Sequence, residues 1–467
     1  MRTEKDSMGE VMVPDAALWG ASTQRAVDNF RVSGHRMPAR FIGALGQVKA
    51  AAARVNGELG LLPAWKAEAI RSAAHEVASG ALAEHFPVDV FQTGSGTSTN
   101  MNANEVIARR ALQLAAAPGG GRTIHPNDDV NLGQSSNDIV PTALHVSAAV
   151  ALKGDLLPAL DLLAGELEAK SAEFADVVKL GRTHLMDAVP MTLGQEFSGY
   201  AAQVRKAKDR VRSAVDVLCE LAIGGSAVGT GLNVPAHFAQ RVCEELARET
   251  LIPFREAENH FEAQAARDDA AEVAGVLAAI AAALSKIAND IRLLSSGPRA
   301  GLAEIRLPEL QPGSSIMPGK ANPVMCEALV QAAIYAQAMA HGVLGCCGGG
   351  QLELNATLPL MAHCLHEAIG CLSGAVRAFA ERCVRGIVAD AARCRGNAER
   401  SLMVAAALNS RIGYDAGAKV AKEALASGKS VRQVVLERGL MGAAELDEAL
   451  DVLRMTGRGP GAAPAPP

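Results

Sequence analysis

The chain is poor in aromatic residues: two Trp, three Tyr and ten Phe make up 3% of its 467 residues. β-Sheets favour aromatic and β-branched side chains, so this shortage argues against an all-β fold. There is no excess of positive charge either. Lys and Arg number 45 against 50 Asp and Glu, for a net charge of −5, and no basic block occurs. Nucleic-acid and membrane-surface proteins carry a basic stripe, so neither partner is expected. Cysteine motifs are also missing. The nine cysteines are odd in number, none lies in a CxxC, and Cys219, Cys243, Cys364 and Cys371 fall inside apolar helical patterns. Reduced, buried thiols in a cytosolic protein fit that usage, and a disulfide framework does not. The adjacent Cys346 and Cys347 are the one pair for which redox activity is to be weighed. The opening MRTEKDSMGE has no apolar core of a signal peptide. The longest apolar run, Val273 to Leu284, falls short of the ~20 residues of a membrane span. A soluble, cytoplasmic protein is expected.

What the chain does have is 49% apolar residues, with alanine roughly a fifth of the whole. That share can bury a large core and excludes intrinsic disorder. Alanine costs no side-chain entropy in a helix, so long, closely packed helices are expected and the fold class is mainly α. Residues 1–134 are heterogeneous, with helical periodicity at 40–60 and 64–82 and polar loops at 92–104 and 125–138. Residues 135–389 carry long helical stretches at 142–170, 196–222, 262–296, 323–346 and 359–386. Gly224 and Gly225 are expected to stop one of these helices, and Gly297 and Pro298 another. Asn322 as N-cap with Pro323 at the first helical position should start a third. The stretch 270–284 is apolar on nearly every face and predicts a helix surrounded by others. Several such helices suggest bundles packed between subunits. Residues 390–467 read as a small helical unit whose GRGPGAAPAPP tail should be disordered.

Four polar, glycine-rich segments interrupt the apolar sequence. TGSGTSTN at 93–100 has Thr99 where a dinucleotide fingerprint needs its third glycine. It instead offers hydroxyls and backbone N–H groups at a helix start, a setting for an anion or simply a capped loop. In HPNDDVN at 125–131, leading into QSSND at 134–138, Asp128 and Asp129 lack histidine or carboxylate companions at ligand spacing. Hydrogen bonding and capping are therefore expected there, and no metal. GRTHLMD at 181–187 is a basic loop between two helices, in which His184 is either catalytic or structural. GSSIMPGKANP at 313–323 departs from a phosphate loop: five residues separate Gly313 from Gly319, and Ala321 replaces the Mg²⁺-binding hydroxyl. What remains is a glycine-hinged loop presenting two serines, a lysine and an asparagine ahead of Glu327. His363 and His366, three apart on one helical face, would need a third ligand to hold zinc, and none is evident, so core or surface histidines are expected.

Taken in order, these segments resemble the fumarase/aspartase superfamily of lyases. GSSIMPGKANP matches its signature. LWG at 18–20, HPNDDVN, SSND at 135–138, GRTH at 181–184, GTGLN at 229–233 and ELN at 353–355 match in sequence order. The similarity runs from EKDSMG at 4–9 to the C-terminal helical unit and is greatest to the class II fumarases, which are metal-independent homotetramers without cofactor. The resemblance implies three helical domains, a twenty-helix tetramer core and active sites assembled from three subunits. It implies Ser314 as the base that takes the C3 proton of malate, and His184 with Glu327 acting on the water or hydroxyl at C2. Ser95, Thr97, Ser135, Ser136, Asn137, Thr183, Lys320 and Asn322 would bind the dicarboxylate. Arg122, His125, Asn127 and Asp128 would form a second anion site.

Two other readings follow from the same fold. The stretches 292–301 and 430–439 resemble aspartate ammonia-lyases, whereas Ser136, HPNDDVN and Gly319 in MPGK are fumarase-like. A lyase fold recruited for a structural role, as in eye-lens crystallins, would show erosion of the serine loop or of His184, and both are intact. The chain departs from the family at Leu132 and Gly133, at His341 and Gly342, in the glycine-rich 345–350 and at Leu358, which bears on packing and subunit contacts more than on chemistry.

Overall fold

The computed structural model describes residues 1–115 and 121–457, so the tail expected to be disordered lies, from residue 458, outside the described residues. The chain is mainly helical, and its strands form five two-stranded sheets among the described residues. It divides into two compact units, one of residues 1–158, 208–282 and 332–374, the other of 159–207, 283–331 and 375–467. The division falls inside each of five long helical stretches: 136–173, Leu193–Val217, Asp268–Leu294, Val324–Cys347 and Leu358–Arg382. These are the five stretches expected from periodicity. The first is continued through a π-helical turn at Leu152–Leu156. The helix expected to stop at Gly224 ends at Val217 instead, because Glu220–Leu221 turns extended and pairs in parallel with Arg255–Glu256.

In the first unit a hairpin of Arg2–Asp6 and Gly9–Val13 precedes the helices Ala21–Asn29, Ala39–Glu58, Ala64–Ala78 and Thr97–Leu114. The polar stretch expected as a loop to residue 104 is already helical from Thr97, and buries Asn100, Asn102, Asn104 and Glu105. Glu105 explains one of these: its carboxylate accepts from the backbone N–H of Gly20, Ser22 and Thr23 at 2.8, 2.9 and 3.1 Å, capping the helix Ala21–Asn29. Alanine sets the packing distance. Ala50–Ala53 are buried on one helix and Ala73 and Ala74 on the next. At Gly46 an added Cβ would lie 2.7 Å from Ala78 N and 2.8 Å from Ala74 O. Gly46→Ala is therefore expected to destabilise the protein by about 1–3 kcal/mol, the range for overpacking, read as a lower denaturant midpoint. The glycine-rich 345–350 ends the helix Val324–Cys347 and leads into a small hairpin, Gly350–Gln351 with Leu354–Asn355 of the ELN segment. Gly342 passes Cys364 so closely that a Cβ would sit 2.9 Å from its Sγ.

In the second unit Val178–Thr183 and Met186–Thr192 form an antiparallel hairpin. Its Val178 and Leu180 share a core with Ala398, Leu408, Val420, Val434 and Leu446 of the C-terminal helices. Ile305–Arg306 pairs with Val388–Ala389.

The nine cysteines are free, and seven are buried. Burial pushes the Cys347 thiol up to about 11, which keeps it protonated and unreactive at neutral pH. Along Asp268–Leu294 one stripe is buried, through Val273, Leu277, Ile280, Leu284, Ile287 and Ile291. Gly275, Ala279 and Ala282 on the same apolar helix are exposed within one chain. This helix and Val324–Cys347 are long and apolar enough to cross a membrane by length and composition, a property they share with core helices. The apolar run alone understated this, because it stops where the helix does not.

Candidate functional site

The first unit brings two helix starts together. Thr97 opens one helix and Ser136 another, and their hydroxyls lie 2.8 Å apart. Ser95 Oγ is 2.8 Å from Thr97 Oγ1, so three hydroxyls form a chain. Backbone shape requires the intervening glycines. Gly96 has φ of +74°, and a Cβ on Gly94 would stand 1.8 Å from Ala356 O. Ser135 caps the second helix in a capping box: its Oγ accepts from Asn137 N at 3.2 Å, and Asp138 Oδ1 accepts from Ser135 N at 2.9 Å. Asn137 Nδ2 donates to Ala227 O at 2.9 Å, just ahead of the GTGLN segment. The structure thus gathers Ser95, Thr97, Ser135, Ser136 and Asn137 at two adjoining helix N-termini, where unpaired N–H groups and hydroxyls suit a carboxylate.

Beneath these donors lie two buried ionisable groups that sequence reasoning missed. Burial pushes the Asp138 carboxyl up to about 6, although the N–H groups of Ser135, Ser226 and Gly224 pull the other way. Burial lowers the Lys49 ammonium to about 7, against the pull of the Asp138 charge. A lysine within the alanine-rich 48–53 run of a buried helix face was the available signal for the second.

The candidate second anion site is also in this unit. His125 caps the short π-helical turn Pro126–Val130, its Nδ1 accepting from Asp128 N at 3.1 Å. Arg122 lies over the Trp65 ring at 4.8 Å and donates to Ala115 O at 2.8 Å. Asn127 and Asp128 are exposed. Asp129 is not part of this surface; it pairs with Lys66 at 2.7 Å and accepts from His125 N at 2.7 Å.

His366 Nε2 lies 2.8 Å from Ser147 Oγ, and His363 stacks near His35 with centroids 5.4 Å apart. Among the described residues no three His, Cys, Asp or Glu gather as a metal would require. Burial pushes His366 down to about 4, and burial with the Arg267 charge pushes His145 down to about 3. Both are neutral in the folded chain, whereas the unfolded chain takes up their protons below about pH 6.5. Their contribution is complete above that pH and is lost as pH falls towards 4 and 3. At pH 5 each should cost about 2 kcal/mol relative to pH 7. In His366→Gln that part of the pH 5 to pH 7 difference in denaturant midpoint should disappear.

The second unit holds the other candidates. His184 is not in a loop between helices, as expected from sequence. It sits at the two-residue turn of the hairpin, with Thr183 opposite Met186. His184 and Leu185 have φ of +55° and +63°, the geometry of a tight hairpin turn normally given to Asn-Gly. Such strain in a non-glycine residue concentrates at functional sites. Arg182 points away from the turn: its guanidinium donates to both oxygens of the buried Glu304, at 2.7 and 3.1 Å. Glu304 also accepts from Asn397 Nδ2 at 3.2 Å, and Lys179 pairs with Glu196. Arg182 and Glu304 therefore support the hairpin.

The loop 313–323 is closed by its own backbone. Gly313 N donates to Lys320 O at 2.8 Å, and Asn322 Nδ2 donates to Gly313 O at 2.9 Å. Asn322 thus ties the loop together instead of capping the helix, which starts one residue later than expected, at Val324. Ser314 Oγ accepts from Ile316 N at 3.1 Å and Met317 N at 3.2 Å, while Ser315 and Lys320 are exposed. Glu327 stands in the first turn of the helix. Within one chain no hydrogen bond or ion pair joins His184 to Glu327 among the described residues.

Residues 9–338 match the lyase family and residues 404–457 the fumarase C C-terminus. The chain is 53% identical over 461 residues to the class II fumarate hydratase of Mycobacterium tuberculosis H37Rv, covering 97% of this chain and 96% of that protein. It is 52% identical over 462 residues to the class II fumarate hydratase of Corynebacterium glutamicum, with the same coverage. The crystal structure of class II fumarase from Schistosoma mansoni superposes with a TM-score of 0.94 at 39% identity, covering 97% of this chain and 99% of that one.

Proposed function

The chain belongs to the class II fumarate hydratases of the fumarase/aspartase lyases, and from that premise we propose that it interconverts fumarate and L-malate, as a step of the tricarboxylic acid cycle. The observation that carries the catalytic assignment is Ser314 Oγ accepting two backbone N–H groups. A serine is a poor base at its ordinary pKa. Two fixed N–H donors, with the ammonium of Lys320 on the same loop, supply the field that an alkoxide needs. In the dehydration of malate to fumarate the Ser314 alkoxide takes the C3 proton. The electron pair is held in the adjacent carboxylate and returns to form the C2–C3 double bond as the C2 hydroxyl leaves as water with a proton from His184. Ser95, Thr97, Ser135, Ser136, Asn137, Thr183, Lys320 and Asn322 hold the dicarboxylate and the charge that builds on it. Arg122, His125, Asn127 and Asp128 form a second site for an anion of the same class.

The proposed assembly is a homotetramer. Asp268–Leu294 buries one stripe within its own chain and leaves small apolar residues exposed on others, as a helix covered by further copies does. Each site then draws its loops from three subunits, and His184 finds Glu327 across a subunit boundary. Residues 1–134, 135–389 and 390–467 are the proposed domains, and the enzyme is soluble and cytoplasmic. The test follows ultraviolet absorbance of the fumarate double bond. Purified protein with malate, and with a chelator in place of metal, should raise the signal. A rise with aspartate and none with malate overturns the assignment in favour of an ammonia-lyase.

A further inference from the structure

Lys49 is wholly buried on the helix Ala39–Glu58, and no carboxylate lies within ion-pair distance of its ammonium among the described residues. Its Nζ donates to Asn131 Oδ1 and Gln134 Oε1, both at 2.8 Å. Asn131 Oδ1 also accepts from Asn100 Nδ2 and Asn104 Nδ2, each at 3.2 Å, on the helix that Thr97 opens. The two amides then grip the chain next to the second helix start. Asn131 Nδ2 donates to Gln134 O at 3.0 Å, and Gln134 Nε2 donates to Val130 O and Leu132 O at 3.1 and 3.2 Å. The ammonium, through Asn131, thereby ties the helix that Thr97 opens to the segment leading into the helix that Ser136 opens.

This network is an expensive way to fill a core. Burying an ammonium with no directly paired carboxylate costs desolvation that the Asp138 charge offsets only in part, and among the described residues the amide oxygens of Asn56, Asn100 and Asn104 are buried without partners. An apolar core replacing the whole network, ammonium and amides together, would serve stability alone at least as well. What the polar network provides is a single geometry, since each member has fixed donors and acceptors.

We infer that Lys49 is a positioning residue for catalysis: through Asn131 and Gln134 it holds Ser135, Ser136 and Asn137 where they meet a substrate carboxylate. The inference rests on the proposed reading of those three residues as substrate donors. Lys49→Met, Gln134→Leu and Ser136→Ala are compared in the full-length protein by kcat and KM for malate, with circular dichroism and oligomeric state alongside. Lys49→Met and Gln134→Leu should each raise KM about tenfold or more and change kcat by less than about threefold. Their double variant should exceed the larger single effect by less than about twofold, because both act through one contact. Should Lys49→Met not fold, Gln134→Leu carries the test from the loop side. A raised KM in Ser136→Ala with unchanged KM in the other two overturns the role of Lys49 and leaves the substrate reading standing. Unchanged KM in Ser136→Ala overturns that reading itself. A loss of kcat that only tracks the loss of folded protein, at constant KM, makes Lys49 structural and also overturns the inference.

Discussion

Ser314→Ala is expected to lower kcat about a thousandfold, within the range that a positioned general base supplies. The substitution removes one oxygen from an otherwise self-supporting loop. The bonds from Gly313 N to Lys320 O and from Asn322 Nδ2 to Gly313 O do not involve the serine side chain and should persist. The N–H groups of Ile316 and Met317 lose their acceptor but lie on an exposed loop, where water replaces it at little cost. Stability and oligomeric state should therefore remain those of the wild type, and KM should change little. Ser315→Ala is the control. Its hydroxyl is exposed and receives no such donors, so its kcat should stay within about threefold of wild type. Equal effects at the two serines would remove Ser314 from the role of base.

The second large effect is expected at His184. His184→Asn should lower kcat about a hundredfold or more while preserving the hairpin. The reason lies in the backbone. His184 has φ of +55°, a region that asparagine tolerates better than almost any other non-glycine residue. Asparagine should relax the turn, and Arg182 would still be held by Glu304. Thermal stability should thus be unchanged or slightly higher, which separates loss of the imidazole from loss of structure. Turnover close to wild type in a folded His184→Asn would exclude His184 from proton transfer at C2.

These features were unequally legible in the sequence. The five long helical stretches follow from apolar periodicity sustained over about 25 residues, and tertiary context moved their ends by only a few positions. The hairpin carrying His184 was not legible. Its strands are short, and its turn is His-Leu where the usual signal is Asn-Gly, so the turn residues themselves hid the hairpin. Asn322 and Pro323 gave a standard helix-start pattern, but the asparagine amide is used to close the loop onto Gly313. The cluster at 95–97 was readable as a helix start suited to an anion or as a capped loop, and the one at 135–136 as hydrogen bonding and helix capping. That Thr97 and Ser136 share a hydrogen bond was not, because contact between positions 39 residues apart depends on the packing of helices. Glu304 and Lys49 had the weakest signals, since a buried charge looks in sequence like any other.

The Ser314 loop and the His184 turn are proposed to act together in one site supplied by different subunits, so mixing the two variants should restore activity to some sites. Ser314→Ala and His184→Asn are each expected to be nearly inactive as homotetramers. After joint unfolding and reassembly, random mixing puts both wild-type groups in up to roughly one site in four. Malate turnover should return to that order in the mixed sample, and in neither variant treated alone. Mixed tetramers that are shown to have formed but remain as inactive as their parents would contradict it.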